Sequence, residues 1–297
     1  MRKGSTQGYI TIATGAQRYA EMAIVLGLSI KTFDAKRPVC LLHDDRVALP
    51  PYSDRIFDEA IELDPDGEYI GCMNKLRLYE YSPFDQTMFV DADCILMKSQ
   101  VDSYWSHCAG MGFTLPGSSS STGHWEKIDI ESTCRRFNCS YVVVMNSGTL
   151  YFEKGPVGER LFEEVNRLYL NRRNELRRFH HNQLGQYADE PFLGVAMGRL
   201  GLEPVGIDER VGSWMVTTWR ARRCLFDIDA GICSLEKPSA FWWSSQARFA
   251  KSWVRHSPIF VHFIGLKPRA LYQRLEKQLR ARHADRLGLE PGAVADS

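Results

Sequence analysis

The sequence predicts an α/β fold in which parallel strands are joined by crossing helices. A strand-like segment, 9–14, is followed by a segment with helical apolar spacing, 15–32, and then by a second short apolar strand, 38–43. A strand, a helix and a strand at this spacing form a βαβ unit with a right-handed crossover. The chain of 297 residues is long enough to bury a large core around such a sheet.

Composition excludes several other classes of protein. Lysine and arginine number 37 against 36 acidic residues, so the net charge of +1 gives no reason to expect a nucleic-acid partner. The eight cysteines form no Cys-x-x-Cys pair, which argues against both a zinc cage and a disulfide framework. No apolar run is long enough for a signal peptide or a membrane span, so we expect a cytoplasmic protein.

The first βαβ unit predicts where a nucleotide would bind. Ligands of open α/β sheets lie at the carboxyl ends of the strands, here near 11–15 and 43–45. Neither a Gly-x-Gly-x-x-Gly motif nor a P-loop is present, which argues against a dinucleotide enzyme and against a P-loop NTPase.

Two carboxylates interrupt a strongly apolar segment, 87–97, which we interpret as a buried strand. If the strand ends there, Asp91 and Asp93 lie on the same side of the chain, because side chains alternate along a strand. Such a pair suits Mg²⁺ or Mn²⁺, which take one or two carboxylates together with water and phosphate oxygens. The alternative is a pair of solvated turn residues, and this pattern alone favours that alternative.

The second half of the chain adds further elements. The β-branched segment 141–152 is interrupted by the small polar cluster 146–148, which indicates close approach of another group to the backbone. Helices are predicted at 72–81 and 156–172, and another is predicted to begin at Asp189 and Glu190. By themselves these two acids are accounted for by helix capping, because negative charge is favoured at a helix N-terminus. The serine-rich segment 116–123 is interpreted as a polar loop, either a lid or a surface connection.

The C-terminal third is rich in aromatic and basic residues. Tryptophans concentrate in 214–253, and a last strand follows at 259–265. A basic amphipathic helix is predicted at 267–286; we interpret it as packed on the domain, and contact with a membrane surface is the alternative. The basic segment 172–181 is interpreted as a solvated face, with contact to an anionic acceptor as the alternative.

Six segments in this order resemble the GT-A glycosyltransferases, and within them the retaining, glycogenin-like family that includes bacterial lipooligosaccharide galactosyltransferases. The segments are 11–14 with Tyr19, 75–79, 89–93, 146–148, 189–193 and 262–268. The resemblance implies a Rossmann-like GT-A fold with a mixed, mostly parallel central sheet flanked by helices. It further implies one domain at 1–270, with a nucleotide-binding half at 1–98 and a donor-sugar and acceptor half at 99–270, followed by a basic helix and tail at 271–297.

The resemblance also implies site residues. Asp91, Asp93 and His262 are implied ligands of Mn²⁺ or Mg²⁺, and Asp189, Glu190 and Asn146 are implied catalytic residues. The implied nucleotide and donor-sugar contacts are Ala13, Thr14, Gly15, Tyr19, Lys75, Asp91, Ala92, Asp93, Asn146, Ser147, Gly265 and Lys267.

The implied function is metal-dependent transfer of a sugar from a nucleotide sugar, most simply a UDP-hexose, with retention of configuration. The acceptor is a saccharide, a lipid-linked intermediate or a protein. Two alternatives remain: an inverting transferase with Asp189 or Glu190 as general base, and a non-catalytic module that binds a glycan or a protein.

The chain departs from the family pattern at two places. Glu190 stands where the family commonly has an amide, and it is therefore the candidate nucleophile of a covalent mechanism. Only Leu266 separates Gly265 from Lys267, and Arg269 follows the proline, so Arg269 is an alternative contact to the diphosphate.

Overall fold

The computed structural model describes residues 6–176, 187–206, 214–238, 241–243, 248–250 and 252–288. The α-helices of these residues are α1 (Gln17–Phe33), α2 (Leu78–Tyr81), α3 (Asp102–Cys108), α4 (Ile130–Phe137), α5 (Pro156–Arg172), α6 (Glu190–Leu200), α7 (Arg269–Arg282) and α8 (Ala284–Leu287). Short 3₁₀ helices lie at Ser53–Arg55, Gly71–Arg77, Ser99–Val101, Arg173–Glu175 and Ile264–Leu266.

The strands up to the middle of the chain are β1 (Gln7–Ala13), β2 (Val39–His43), β3 (Glu59–Glu62), β4 (Gln86–Val90), β5 (Cys94–Leu96), β6 (Phe113–Thr114), β7 (Gly117–Ser120), β8 (His124–Trp125) and β9 (Ile128–Asp129). The later strands are β10 (Val142–Met145), β11 (Thr149–Glu153), β12 (Met215–Thr217), β13 (Arg222–Asp227), β14 (Ile232–Pro238), β15 (Phe241–Trp243), β16 (Arg248–Ala250), β17 (Trp253–His256) and β18 (Phe260–His262).

The central sheet has six strands in the order β3-β2-β1-β4-β11-β6. Strand β1 pairs in parallel with β2 and β4, and β2 pairs in parallel with β3. Strand β11 is antiparallel to both β4 and β6. The sheet is therefore mixed and mostly parallel, and the predicted α/β class and the first βαβ unit, β1-α1-β2, are confirmed.

The sheet separates two apolar cores because successive side chains along its strands point to opposite faces. Met88 and Val90 of β4 belong to the core that contains α1, whereas Phe89 belongs to the core that contains α5 and α6. Helix α7 buries Tyr272 and Leu275 in the α1 core. Helices thus cover both faces, and the sheet's strand ends remain the place where polar side chains can collect.

The acidic segment is not the single strand that we expected. Strand β4 ends at Val90, and the chain then makes a tight turn in which the Cys94 N–H donates to the Asp91 carbonyl at 2.9 Å. Strand β5 starts at Cys94 and belongs to a second sheet, in the order β12-β18-β5. Asp91 and Asp93 are therefore placed by a turn between two sheets, and the alternation of a strand does not set their direction.

The segment 141–152 also divides at its polar cluster. Strand β10 pairs with β7 in a two-stranded sheet, whereas β11 lies in the central sheet. The partner of β10 is the serine-rich segment, which we expected to be a loop: Gly117 lies opposite Met145 and Ser120 opposite Val142. The serine-rich segment can pair with β10 because a strand pairs through its backbone hydrogen bonds, which do not require apolar side chains.

Two further expectations differ in detail. The helix expected at 72–81 begins as the 3₁₀ helix Gly71–Arg77 and becomes α-helical only at α2. The basic segment 172–181 lies within the described residues only as far as 176, and there Arg172 and Arg173 form ion pairs with Glu175 and Glu68. Residues 177–181 of that segment, part of the tryptophan-rich 214–253 and the tail beyond 288 lie outside the described residues.

Within the part of the chain that the structure describes, no helix is long and apolar enough to span a membrane.

Candidate active site

The candidate site lies where several strands end. Strands β1 and β2 end side by side, with Ala13 opposite His43. Strand β4 ends at the acidic turn, β10 ends at Met145 directly before Asn146, and β18 ends at His262, which lies opposite Cys94 of β5. Five strand ends that are far apart in sequence therefore meet at one edge of the molecule.

Helix α6 presents its first turn to this edge because it packs very closely on β10. A Cβ added at Gly194 would lie 2.4 Å from the Val143 carbonyl oxygen, and one at Gly198 would lie 1.9 Å from the Tyr141 carbonyl oxygen. Only glycine permits these approaches. The helix therefore starts, with Asp189 and Glu190, directly beside the cluster that follows β10.

A chain of four polar side chains crosses the site. The His262 Nε2 atom lies 2.9 Å from Asp93 Oδ1, and His262 Nδ1 lies 2.8 Å from Asn146 Oδ1. Asn146 Nδ2 donates to Glu190 Oε1 at 3.3 Å, and this oxygen also accepts the Ser147 N–H at 3.3 Å. Burial lowers the pKa of His262, but the charges of Asp93 and Asp91 outweigh burial, so the pKa is raised above its usual value.

A second group of contacts surrounds Lys75, which is 6 % exposed. Its Nζ atom donates to Asp91 at 2.9 Å and to Ser147 Oγ at 3.0 Å, and it lies 3.5 Å from Asp189 Oδ2. Burial lowers the pKa of this amine. The negative charges of Asp189 and Asp91 raise the pKa by more than burial lowers it, so the net pKa is above that of an ordinary lysine. Lys75 is thus a permanent cation that joins the acidic turn to the start of α6.

The donor atoms at the acidic turn fit a divalent cation. Ligand atoms of Asp93, Cys94 and His262 lie within 4.8 Å of one another. The 2.9 Å between Asp93 Oδ1 and His262 Nε2 matches the roughly 3.0 Å expected between neighbouring ligands of an octahedral ion with bonds of about 2.1 Å. Asp91 adds a second carboxylate two residues earlier, although it is bonded to Lys75.

Cys94 is a poor candidate ligand despite its position. Burial and the charges of Asp93 and Asp91 raise the pKa of its thiol well above the usual value. Its sulfur donates to the Gly148 carbonyl oxygen at 3.6 Å. A protonated thiol does not suit a hard cation, so the carboxylates and the imidazole form the better ligand set.

The loop after β1 carries the expected nucleotide contacts. Gly15 has a positive φ of 84°, which glycine adopts without strain, and its N–H donates to Asp44 Oδ2 at 2.8 Å. The Thr14 hydroxyl accepts from Asn74 Nδ2 at 3.5 Å. Tyr19 is half-buried in α1, and the Arg18 guanidinium lies 5.0 Å from the centre of its ring.

The loop after β18 contains Gly265 and Lys267 and leads into α7 at Arg269, and all three residues are exposed. Its backbone is held by Thr218, whose hydroxyl donates to the Lys267 carbonyl at 2.5 Å and whose backbone N–H donates to the His262 carbonyl at 2.9 Å. The loop therefore leaves the site directly from His262, and both basic side chains stand in solvent.

Three residues at the site escaped sequence reasoning. Gly148 is required because a Cβ there would lie 2.5 Å from His262 Nδ1. Asp44 and Thr218 act through hydrogen bonds to the loops after β1 and β18. Gly148 could have been found as the glycine of the polar cluster after β10, and Asp44 as a member of the strand end at 43–45, whereas Thr218 carries no local signal.

No protein-family model matches the chain. The chain is 24% identical over 268 residues to UDP-glucuronate:xylan alpha-glucuronosyltransferase 2 of Arabidopsis thaliana, and the match covers 82% of this chain. It covers 41% of the plant protein, so the chain spans less than half the length of this curated relative.

Solved structures of glycosyltransferases are also similar to it. GlyE of Streptococcus pneumoniae TIGR4, in its apo form, is 12% identical, with a TM-score of 0.43 over 69% of this chain and 46% of that one. The galactosyltransferase LgtC, in complex with donor and acceptor sugar analogs, is 14% identical, with a TM-score of 0.42 over 71% and 76%. The bifunctional WbbM is 13% identical, with a TM-score of 0.43 over 73% and 40%. Each of these named proteins is described as a glycosyltransferase.

Proposed function

We propose that this chain is a metal-dependent glycosyltransferase that moves a hexosyl group from a UDP-sugar to an acceptor with retention of configuration. The observation that carries the proposal is the pairing of Asp93 Oδ1 with His262 Nε2 at 2.9 Å, beside the second carboxylate of Asp91 and at the carboxyl end of β4. The name of the plant relative supports the donor class, since it specifies a UDP-linked sugar.

Asp91, Asp93 and His262 would hold Mn²⁺ or Mg²⁺ in this proposal. The cation supplies Lewis-acid stabilisation of the negative charge on the departing diphosphate. Lys267, exposed on the loop that follows His262, or Arg269, exposed at the start of α7, is suited to bind the same anion.

The nucleoside would lie on the loop after β1, at Ala13, Thr14 and Gly15, with Tyr19 as a stacking platform. This is the strand end where open α/β sheets bind nucleotides. The N–H of Gly15 already points to a carboxylate, that of Asp44. We expect Asp44 to accept a hydrogen bond from the base or ribose in the same way.

The donor sugar would face Ser147, Asp189 and Glu190. Among the described residues Asp189 Oδ2 is buried and accepts no hydrogen bond, although Lys75 Nζ lies 3.5 Å away. A buried carboxylate oxygen with an unused lone pair is a strong acceptor for a sugar hydroxyl.

The proposal predicts Mn²⁺-dependent release of UDP from at least one of UDP-glucose, UDP-galactose, their N-acetyl forms and UDP-glucuronate. Removal of a direct metal ligand should cost more than the roughly 10- to 100-fold typical of an outer-shell partner, so Asp93→Asn should lower turnover by more than about 100-fold. Asp54→Asn, at an exposed position of the 3₁₀ helix Ser53–Arg55, is the matched control and should retain wild-type turnover.

Nuclear magnetic resonance of the glycoside product determines the anomeric configuration. An α product from an α-linked donor supports retention, and a β product assigns Asp189 or Glu190 the role of general base. Wild-type protein that neither binds nor hydrolyses any of these donors in the presence of Mn²⁺ would refute the enzymatic proposal.

A further inference from the structure

We propose that Asn146 is a positioning residue for the cation: its side chain selects one tautomer of His262 and aims His262 Nε2 at the metal position. This inference rests on the proposed metal site. It gives Asn146 a role that is distinct from contact with the donor sugar, because both ends of its amide are already bound to protein groups.

The orientation of the Asn146 amide follows from its neighbours. The Gly148 N–H can only donate, and it lies 3.3 Å from Oδ1. The Glu190 carboxylate accepts at 3.3 Å from Nδ2. A flipped amide would face a donor with a donor and an acceptor with an acceptor, so the backbone and the carboxylate both require the same orientation.

The tautomer of His262 then follows from the amide. Asn146 Oδ1 is an acceptor, and it lies 2.8 Å from His262 Nδ1, so Nδ1 must carry hydrogen. In a neutral imidazole the lone pair is therefore on Nε2, which is the atom 2.9 Å from Asp93 Oδ1. A metal-ligating histidine commonly donates its other ring N–H to an acceptor in this manner, and that acceptor raises the basicity of the ligand.

Steric contact restrains the imidazole from the other side. A Cβ at Gly148 would lie 2.5 Å from His262 Nδ1 and 3.0 Å from Asn146 Oδ1. Gly148 does not have a positive φ, so alanine at this position adds a methyl group without straining the backbone. The ring can therefore be displaced by Gly148→Ala or released by removal of the Asn146 acceptor.

Two measurements on metal binding and tautomer test the inference without using turnover. The first is the dissociation constant of Mn²⁺ for the protein without nucleotide sugar, followed by the electron paramagnetic resonance signal of free Mn²⁺. We expect Asn146→Leu, which has the same branching at Cγ but no acceptor, and Gly148→Ala each to weaken Mn²⁺ binding by about 10- to 100-fold. Gly67→Ala, where an added Cβ meets no atom within 4 Å, is the control and should bind as the wild type does.

The second measurement is the long-range ¹H–¹⁵N spectrum of ¹⁵N-histidine protein saturated with diamagnetic Mg²⁺, with the His262 signals assigned by their loss in His262→Asn. Wild type should show hydrogen on Nδ1, and Asn146→Asp, which keeps an oxygen acceptor, should preserve this pattern. Asn146→Leu should lose it. Circular dichroism of each variant establishes that it folds.

The outcomes separate the inference from the function on which it rests. Wild-type protein that binds Mn²⁺ with both variants unaffected, or a His262 with hydrogen on Nε2, overturns the positioning role alone. Wild-type protein that binds no Mn²⁺ overturns the metal site of the proposed function, together with this inference.

Discussion

Lys75 connects three parts of the candidate site that are remote from one another in sequence. It contacts Asp91, 16 residues later, and Ser147, 72 residues later, and it lies 3.5 Å from Asp189 Oδ2. Both carboxylates depend on this cation, because an ionised buried group without a partner is costly. The residue that we expected to reach the donor is therefore first of all the counter-ion of the site.

Replacement of Lys75 by methionine should lower the free energy of unfolding by about 3–5 kcal/mol, the cost of breaking a buried ion pair by removing one partner. Lys36→Met is the matched control, since the side chains of Lys36 and its partner Asp102 are 61% and 54% exposed. Exposed pairs contribute about 0–1 kcal/mol. Urea denaturation measures both variants, and equal losses in the two would contradict the structural role of Lys75.

The element that most directly shapes the site is α6 on β10. Gly194 and Gly198 let the helix backbone approach the strand's carbonyl oxygens, and this contact fixes the position at which Glu190, in the first turn of α6, meets Asn146. A larger side chain at either glycine would push α6 away from β10 and would therefore move the site residues, even though neither glycine belongs to the site. The same spacing could be mistaken in the sequence for two helix-weakening residues.

Gly198→Ala should destabilise the protein by about 1–3 kcal/mol, despite the higher helix propensity of alanine, because its Cβ would meet a backbone carbonyl that cannot rotate away. Gly67→Ala is a suitable comparison, since an added Cβ there meets no atom within 4 Å. Thermal and urea unfolding give the two losses. If Gly67→Ala costs as much as Gly198→Ala, the close approach of backbone to backbone is not the cause.

At the scale of the whole molecule, the second sheet closes the site. Strand β18 pairs with β5 directly after the acidic turn, and the Phe263 N–H donates to the Asp93 carbonyl at 3.0 Å. The chain thus holds Asp93 and His262 together through its own backbone hydrogen bonds. Metal is not required to bring these two residues into contact.

Removal of divalent cations with EDTA should therefore leave the far-ultraviolet circular dichroism unchanged. Addition of Mn²⁺ at about 100 times its dissociation constant should then stabilise the folded protein by about 2.7 kcal/mol and raise the melting temperature. His262→Asn should lose most of this increase and retain the fold. Unfolding on treatment with EDTA would contradict a preformed site.

Sequence patterns predicted those parts of the structure that depend on neighbouring residues. Helix α5 has the predicted bounds, and β1, α1 and β2 form the predicted unit, because apolar periodicity over 5–17 residues decides which face is buried. The prediction that 87–97 forms a single buried strand was wrong for a related reason. Apolar residues continue from β4 through the turn into β5, and periodicity alone cannot detect that the chain changes sheets there.

By itself, the sequence determined the α/β class, the first βαβ unit and the residue types that collect at the strand ends. Only the tertiary structure decided which of these residues touch. Asn146 and His262 are 116 residues apart and contact each other because β10 and β18 end at the same edge. Asp91 accepts a hydrogen bond from Lys75, 16 residues earlier in the chain, and Gly148 is needed only because the His262 imidazole lies against it. Such contacts depend on strand order and on helix packing distance, which no local pattern of residues encodes.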